Sequence, residues 1–125
     1  VASAAALANI AVMENEKIPE RVRTTGKRFE NNLRGLGELE LVGEVRGSHF
    51  MMGLEFVKDR ERKTPFAASE EIGQKVAQAA QKRGLIARPL GNSLILSPTL
   101  IMTEVQIDET TDILRESISE VQGGL

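Results

Sequence analysis

One arginine stands inside an apolar run. In GLIARPLGNSLILSP, Gly84 to Pro98, Arg88 is followed directly by Pro89. A guanidinium offers two parallel donors that match a carboxylate, which a lysine ammonium cannot do. The proline disfavours helical geometry at Arg88 and holds its backbone extended. In a strand, Ile86, Arg88 and Leu90 share one face, while Leu85, Ala87 and Pro89 share the other. If Gly91-Asn92 is the whole connecting loop, Arg88 lies opposite Ile95. A charge among such neighbours needs water or an anion. One reading is a clamp for the carboxylate of a small anionic substrate. The other is an edge-strand arginine that snorkels to solvent or pairs with a structural glutamate. Spacing alone leaves both open.

The remaining charged residues point to structural duty. Arg46, in EVRG, could bind an anion, but Glu44 and Glu55 are ready partners. His49 sits beside a tight turn and reads as a surface residue. Asp108, Glu109 and Asp112 fall early in a final helix, where carboxylates favour the positive end of the dipole. No paired carboxylates, no Ser/His/Asp set and no phosphate-cradling glycine loop is present. With no cysteine and one histidine, thiolate, zinc and iron sites are not expected. A net charge of −2 with 3% aromatic residues argues against nucleic acid as a partner. The opening VASAAALANIAVM lacks a basic flank and is too short to span a bilayer, so neither a signal peptide nor a membrane partner is expected. Absence of cysteine suits a reducing compartment, and a cytoplasmic location is expected.

The elements that must position Arg88 follow from periodicity. The 125 residues suit one domain with an aliphatic core. High helix propensity predicts a helix from Ala2 to about Asn15, continuing from something upstream. Pro19 opens a second helix running from Glu20 to about Leu36, with Val22, Phe29, Leu33 and Leu36 inward. Arg21, Arg23, Lys27, Arg28 and Glu30 are expected on its wet side. Val42 to Arg46 and Phe50 to Val57 read as strands joined by a tight turn at Gly47-Ser48. Gly53 suggests a bulge or a close contact in the second of them. Lys58 to Pro65 reads as a solvated loop. A third helix from about Ala68 to Arg83 carries Ile72, Val76, Ala79 and Ala80 inward, and Gly84 stops it. Two more strands flank Gly91-Asn92, a hairpin dipeptide. Thr103 to Gln106 has capping-box spacing and starts a last helix with Ile107, Leu114, Ile118 and Val121. The fold class is therefore α+β, in the order α-α-β-β-α-β-β-α: an antiparallel or mixed sheet of about four strands covered by helices.

Three segments of this chain resemble a known family: VASAAALANIAVMENEKIPERV, VGEVRGSHFMMGLEFV and KRGLIARPLGNSLILSPTLIMTEVQID. In that order they are similar to the C-terminal part of class III aminotransferases, pyridoxal-phosphate enzymes of fold type I, and most like the omega-amino-acid:pyruvate branch. The resemblance implies that residues 1–125 form the small C-terminal domain, with the first helix continuing from a large domain. It implies transfer of an amino group from an amine or omega-amino acid to a keto acid such as pyruvate, in a homodimer. It assigns the substrate carboxylate to Arg88. The catalytic lysine that holds pyridoxal 5'-phosphate, and the other cofactor-binding groups, belong to the large domain. None of Lys17, Lys27, Lys58, Lys63, Lys75 or Lys82 matches that lysine's context, so residues 1–125 alone are expected to bind no cofactor and to be inactive. Thr99 stands where the family often has a second proline, and His49 and Phe50 replace smaller residues, which bears on substrate preference. Aminomutases, decarboxylases and ornithine- or aminobutyrate-type transaminases share the architecture and stay open as alternatives. So does a stand-alone ligand-binding or dimerisation module.

Overall fold

The computed structural model describes residues 1–125. Its backbone runs α1 (Ala2–Asn15), α2 (Ile18–Arg21), a π-helical turn (Val22–Gly26), α3 (Lys27–Gly35) and a short 3-10 turn (Leu36–Glu38). Then come β1 (Val42–Ser48), β2 (Met51–Asp59), β3 (Thr64–Pro65), a second 3-10 turn (Ala68–Glu70) and α4 (Ile72–Lys82). The chain closes with β4 (Arg88–Leu90), β5 (Ser93–Leu96) and α5 (Glu104–Gly123). The fold is α+β, and every strand pair is antiparallel. The sheet order is β1-β2-β5-β4, with the two-residue β3 added alongside β2.

Alternation along the strands sorts the two faces of the sheet. Met52, Leu54 and Phe56 of β2 and Leu94 and Leu96 of β5 are buried on the inner face. They meet Phe29 and Leu33 of α3, Ile72 and Val76 of α4, and Ile107, Leu114 and Ile118 of α5 in one core. The outer face carries no helix. Met51, Leu90 and Ile95 stand exposed there, beside Glu44, Arg46, Glu55 and Arg88. No residue of α1 is buried, so its extent follows its alanine-rich propensity rather than packing.

Several expectations need correction. The second predicted helix is interrupted by the π-helical turn, where the Thr24 and Thr25 hydroxyls donate to the carbonyl of Arg21. Competition from such hydroxyls within the helical ladder is a known source of bending. The third predicted helix starts later: Glu71, at φ 48°, breaks the 3-10 turn from α4. Lys58 to Pro65 is not all loop, because β2 extends to Asp59 and Thr64–Pro65 returns as β3. The bulge lies at Gly43, between the paired positions Val42 and Glu44, and not at Gly53. A Cβ on Gly43 would fall 2.5 Å from Val57 Cγ1, so only glycine permits the strand to press there. Gly53 makes only ordinary contacts.

The first hairpin turns at His49-Phe50, two residues later than expected. Two contacts override the glycine signal. Phe50 is buried against Phe29 with ring centroids 5.5 Å apart, and His49 takes φ 49°, a region histidine enters more readily than most side chains. Glu30 is the remaining correction: it is 5% exposed, not on the wet side.

Candidate functional site

Arg88 lies where the dipeptide rule puts it. Gly91 adopts φ 57°, the two-residue loop closes, and Arg88 pairs with Ile95. The register then runs on: Ile95 pairs with Gly53, and Gly53 with Arg46. One transverse row therefore reads Arg46, Gly53, Ile95, Arg88 across all four main strands. Both arginines project from the outer face. With strands about 4.8 Å apart, their backbones stand roughly 14 Å from one another.

Their surroundings differ. Arg46 donates to Glu44 at 3.3 Å and to Glu55 at 2.9 Å, the partners expected from sequence. Arg88 has Ile86 and Leu90 on its own segment and Ile95 across the ladder. The other nine arginines each make a side-chain hydrogen bond or ion pair. Arg88 makes none. It also borders an opening of about 320 Å³ formed with Ile86, Ile95, Pro98 and Met102. An exposed, unpaired guanidinium on a paired strand, next to an apolar cleft, is free to take a carboxylate with both donors.

The most perturbed acid belongs to a different place. Glu30 accepts from the His49 backbone N–H at 3.1 Å, from Lys27 at 3.1 Å and from Arg34 at 3.0 Å. The Ser48 hydroxyl adds a longer contact at 3.4 Å. The His49 N–H, then Lys27 and Arg34, hold its carboxyl down at about 2. Burial works against this and is outweighed. Ser48, His49 and Glu30 are close, but Ser48 and Glu30 both approach the same ring nitrogen, Nδ1, at 2.6 and 3.8 Å. A relay needs the acid and the hydroxyl on opposite nitrogens, so this group fastens a turn rather than activating a nucleophile. Nothing in the residue pattern of KRFE flagged the burial of Glu30. The signal was tertiary.

The other charged clusters are clasps between helices. Arg28 grips Asp108 with two bonds of 3.1 and 2.7 Å, and Asn32 adds a third at 2.9 Å. The guanidinium and the amide hold Asp108 below its ordinary range, and Asp108 in turn raises Arg28. Arg83 ties α4 to Glu120 and Glu116 of α5, and its pKa is raised, most by Glu120. Arg115 pairs with Glu38. No group of three or more His, Asp or Glu side chains converges as a metal cluster. No helix is long and apolar enough to cross a membrane.

All six lysines are exposed, and none borders the opening beside Arg88. The residues present thus do not build a seat for pyridoxal phosphate.

Comparison with known proteins bears on the whole chain. Residues 1–118 match the family model "Aminotransferase class-III". The adenosylmethionine-8-amino-7-oxononanoate aminotransferase of Methanocaldococcus jannaschii is 43% identical over 116 residues, which are 93% of this chain and 25% of that protein. Its crystal structure superposes with a TM-score of 0.89, over 93% of this chain and 26% of that one. A PMP-bound aminotransferase from Vibrio fluvialis gives a TM-score of 0.90 at 42% identity, covering 94% of this chain and 26% of that one. An omega-transferase from Vibrio fluvialis gives 0.91 at 41% identity, covering 95% and 28%. The chain spans about a quarter of the length of the relatives it matches.

Proposed function

The chain belongs to the class III aminotransferases, and from that premise we propose that it is the small C-terminal domain of one, with Arg88 receiving the carboxylate of the substrate. The complete protein would move an amino group from an amine or omega-amino acid to a keto acid such as pyruvate. It would do so as a homodimer, with pyridoxal phosphate held by residues outside these 125.

One observation carries the assignment to Arg88. Of ten arginines it alone has no partner within the chain, yet its backbone is held in a ladder and its neighbours are apolar. Each of the other arginines has a carboxylate or a backbone carbonyl within 4 Å of its guanidinium. The relatives supply the family context, since one is named for an amino-oxo acid and another is called an omega-transferase. Arg88 then performs three physical tasks. It attracts the acid, it fixes the orientation of the carbonyl carbon by gripping the far end, and it leaves uncharged donors ungripped.

The test uses the complete enzyme. Arg88→Ala should lower kcat/KM for pyruvate on the order of a hundredfold while sparing a donor that has no carboxylate. Arg88→Lys should recover only part, because the ammonium keeps the charge but not the two parallel donors. Equal losses for both substrates would refute the assignment.

A further inference from the structure

We propose that Asn92 and Gly73 are positioning residues for Arg88, seating the turn of its hairpin on the body of the domain. The inference rests on the carboxylate reading and extends it to residues that touch no substrate.

β4 is three residues long and lies at the edge of the sheet, with β5 as its one strand neighbour. Arg88 is thus placed by β5 on one side, by α4 packed against the strand, and by the turn that ends it. Three contacts hold that turn. The Asn92 side-chain amide donates to the Phe66 carbonyl at 2.8 Å, in the connection between β3 and α4. The Asn92 backbone carbonyl accepts from Phe56 N at 2.8 Å, in β2. The third contact is steric. A Cβ on Gly73, in the first turn of α4, would fall 2.4 Å from the Gly91 carbonyl oxygen and 2.9 Å from that of Ser93. Both obstacles are backbone, so a side chain there must push the turn or the helix away. Gly73 is buried, and its helix has no need of glycine otherwise. Moving the turn moves Arg88 without removing its charge.

A role in stability alone would affect all substrates alike. The discriminating experiment uses the full-length, cofactor-loaded enzyme with two acceptors, pyruvate, which carries a carboxylate, and propanal, which carries none. Asn92→Asp and Asn92→Ser each keep a turn-forming dipeptide after Gly91. The first removes the donor, and the second shortens its reach. Gly73→Ala is the steric companion. In each variant kcat/KM for pyruvate should fall about tenfold, mostly through KM, with propanal changed by less than about twofold. Equal losses on the two acceptors, or no loss on either, would overturn the inference. Should Gly73→Ala fail to fold, the two Asn92 variants decide. Arg88→Ala measured alongside separates the two layers. If it loses pyruvate selectively and the Asn92 variants do not, only the positioning inference fails. If it spares pyruvate, the carboxylate reading fails first and the inference goes with it.

Discussion

The two hairpins of the sheet carry one arginine each, in the same row and on the same face, and they are fastened differently. Both seat their turn on a helical segment through a glycine. A Cβ on Gly26 would fall 2.8 Å from His49 Cβ, just as one on Gly73 would strike the Gly91 carbonyl. The β1–β2 turn is then tied by charge, with Glu30 accepting from the His49 N–H. The β4–β5 turn is tied by the neutral amide of Asn92. The arginines follow the same division. Arg46 lies between two carboxylates and is consumed by them; Arg88 lies among Ile86, Leu90 and Ile95 and is not. Residue type and sheet position are shared, so neither separates the paired arginine from the unpaired one. The acid content of their neighbours does.

The comparison requires a packed inner face beneath both hairpins and an unpacked outer one. Leu94 and Ile95 are adjacent on β5 and test this directly. Leu94 is fully buried, and Ile95 is 37% exposed beside Arg88. Leu94→Ala should cost about 2–5 kcal/mol through lost contacts and a cavity. Ile95→Ala should cost under about 1 kcal/mol, the range of surface substitutions. Urea unfolding of the 125-residue chain measures both. A loss at Ile95 as large as at Leu94 would make the surroundings of Arg88 a core, and its freedom an accident of packing.

A smaller effect distinguishes the two fastenings by pH. Glu30 has its carboxyl lowered from 4.5 to about 2 in the folded chain. A depressed acid contributes stability that is present above its unfolded pKa and is lost as pH falls through the folded one. The contribution of Glu30 should therefore be complete above pH 4.5 and vanish toward pH 2. In Glu30→Gln, acid titration of unfolding should show a shallower slope across that window, converging with the parent at the acid end. Amide exchange should quicken at His49 and Phe50 in the variant and stay unchanged at Gly91 and Asn92. A slowed or quickened β4–β5 turn would show that the hairpins are not independently held.

What was legible in the sequence divides along the same line. The turn and register of the β4–β5 hairpin could be read, with Arg88 opposite Ile95 once Gly91-Asn92 is the whole loop, because Pro89 and Gly91-Asn92 fix backbone geometry locally, although β4 starts only at Arg88 and not at Leu85. The stripes of α4 and α5 were legible because apolar period needs no knowledge of the partner. The β1–β2 turn was not. Gly47-Ser48 gave a genuine local signal, and Phe50 overrode it by burying against Phe29, 21 positions away in the chain. Glu30 escaped for the same reason. A carboxylate in a basic helix reads as solvated until the turn that donates to it is placed alongside. The contacts that hold the β4–β5 turn escaped as well. Asn92 was legible as a turn residue, but its bond to Phe66 and the clearance at Gly73 exist only once the helix and hairpin meet.

The smallest expected effect is also the sharpest test of the neighbour rule. Glu44→Gln with Glu55→Gln replaces both carboxylates beside Arg46 with neutral amides and leaves its strand and row unchanged. Exposed ion pairs of this kind contribute about 0–1 kcal/mol, so unfolding should hardly move. Arg46 then becomes a second guanidinium without a carboxylate beside it, roughly 14 Å along the row from the first. That distance is beyond the reach of a three-carbon keto acid held at Arg88. The acceptor preference of the complete enzyme should therefore stay as it was. The new cation should reveal itself instead as weak pyruvate binding that survives Arg88→Ala, detectable by calorimetry on the double-glutamine background and absent from the parent. If it does not appear, freedom from acids is insufficient, and the apolar frame of Ile86, Leu90 and Ile95 contributes to the grip of Arg88 in its own right.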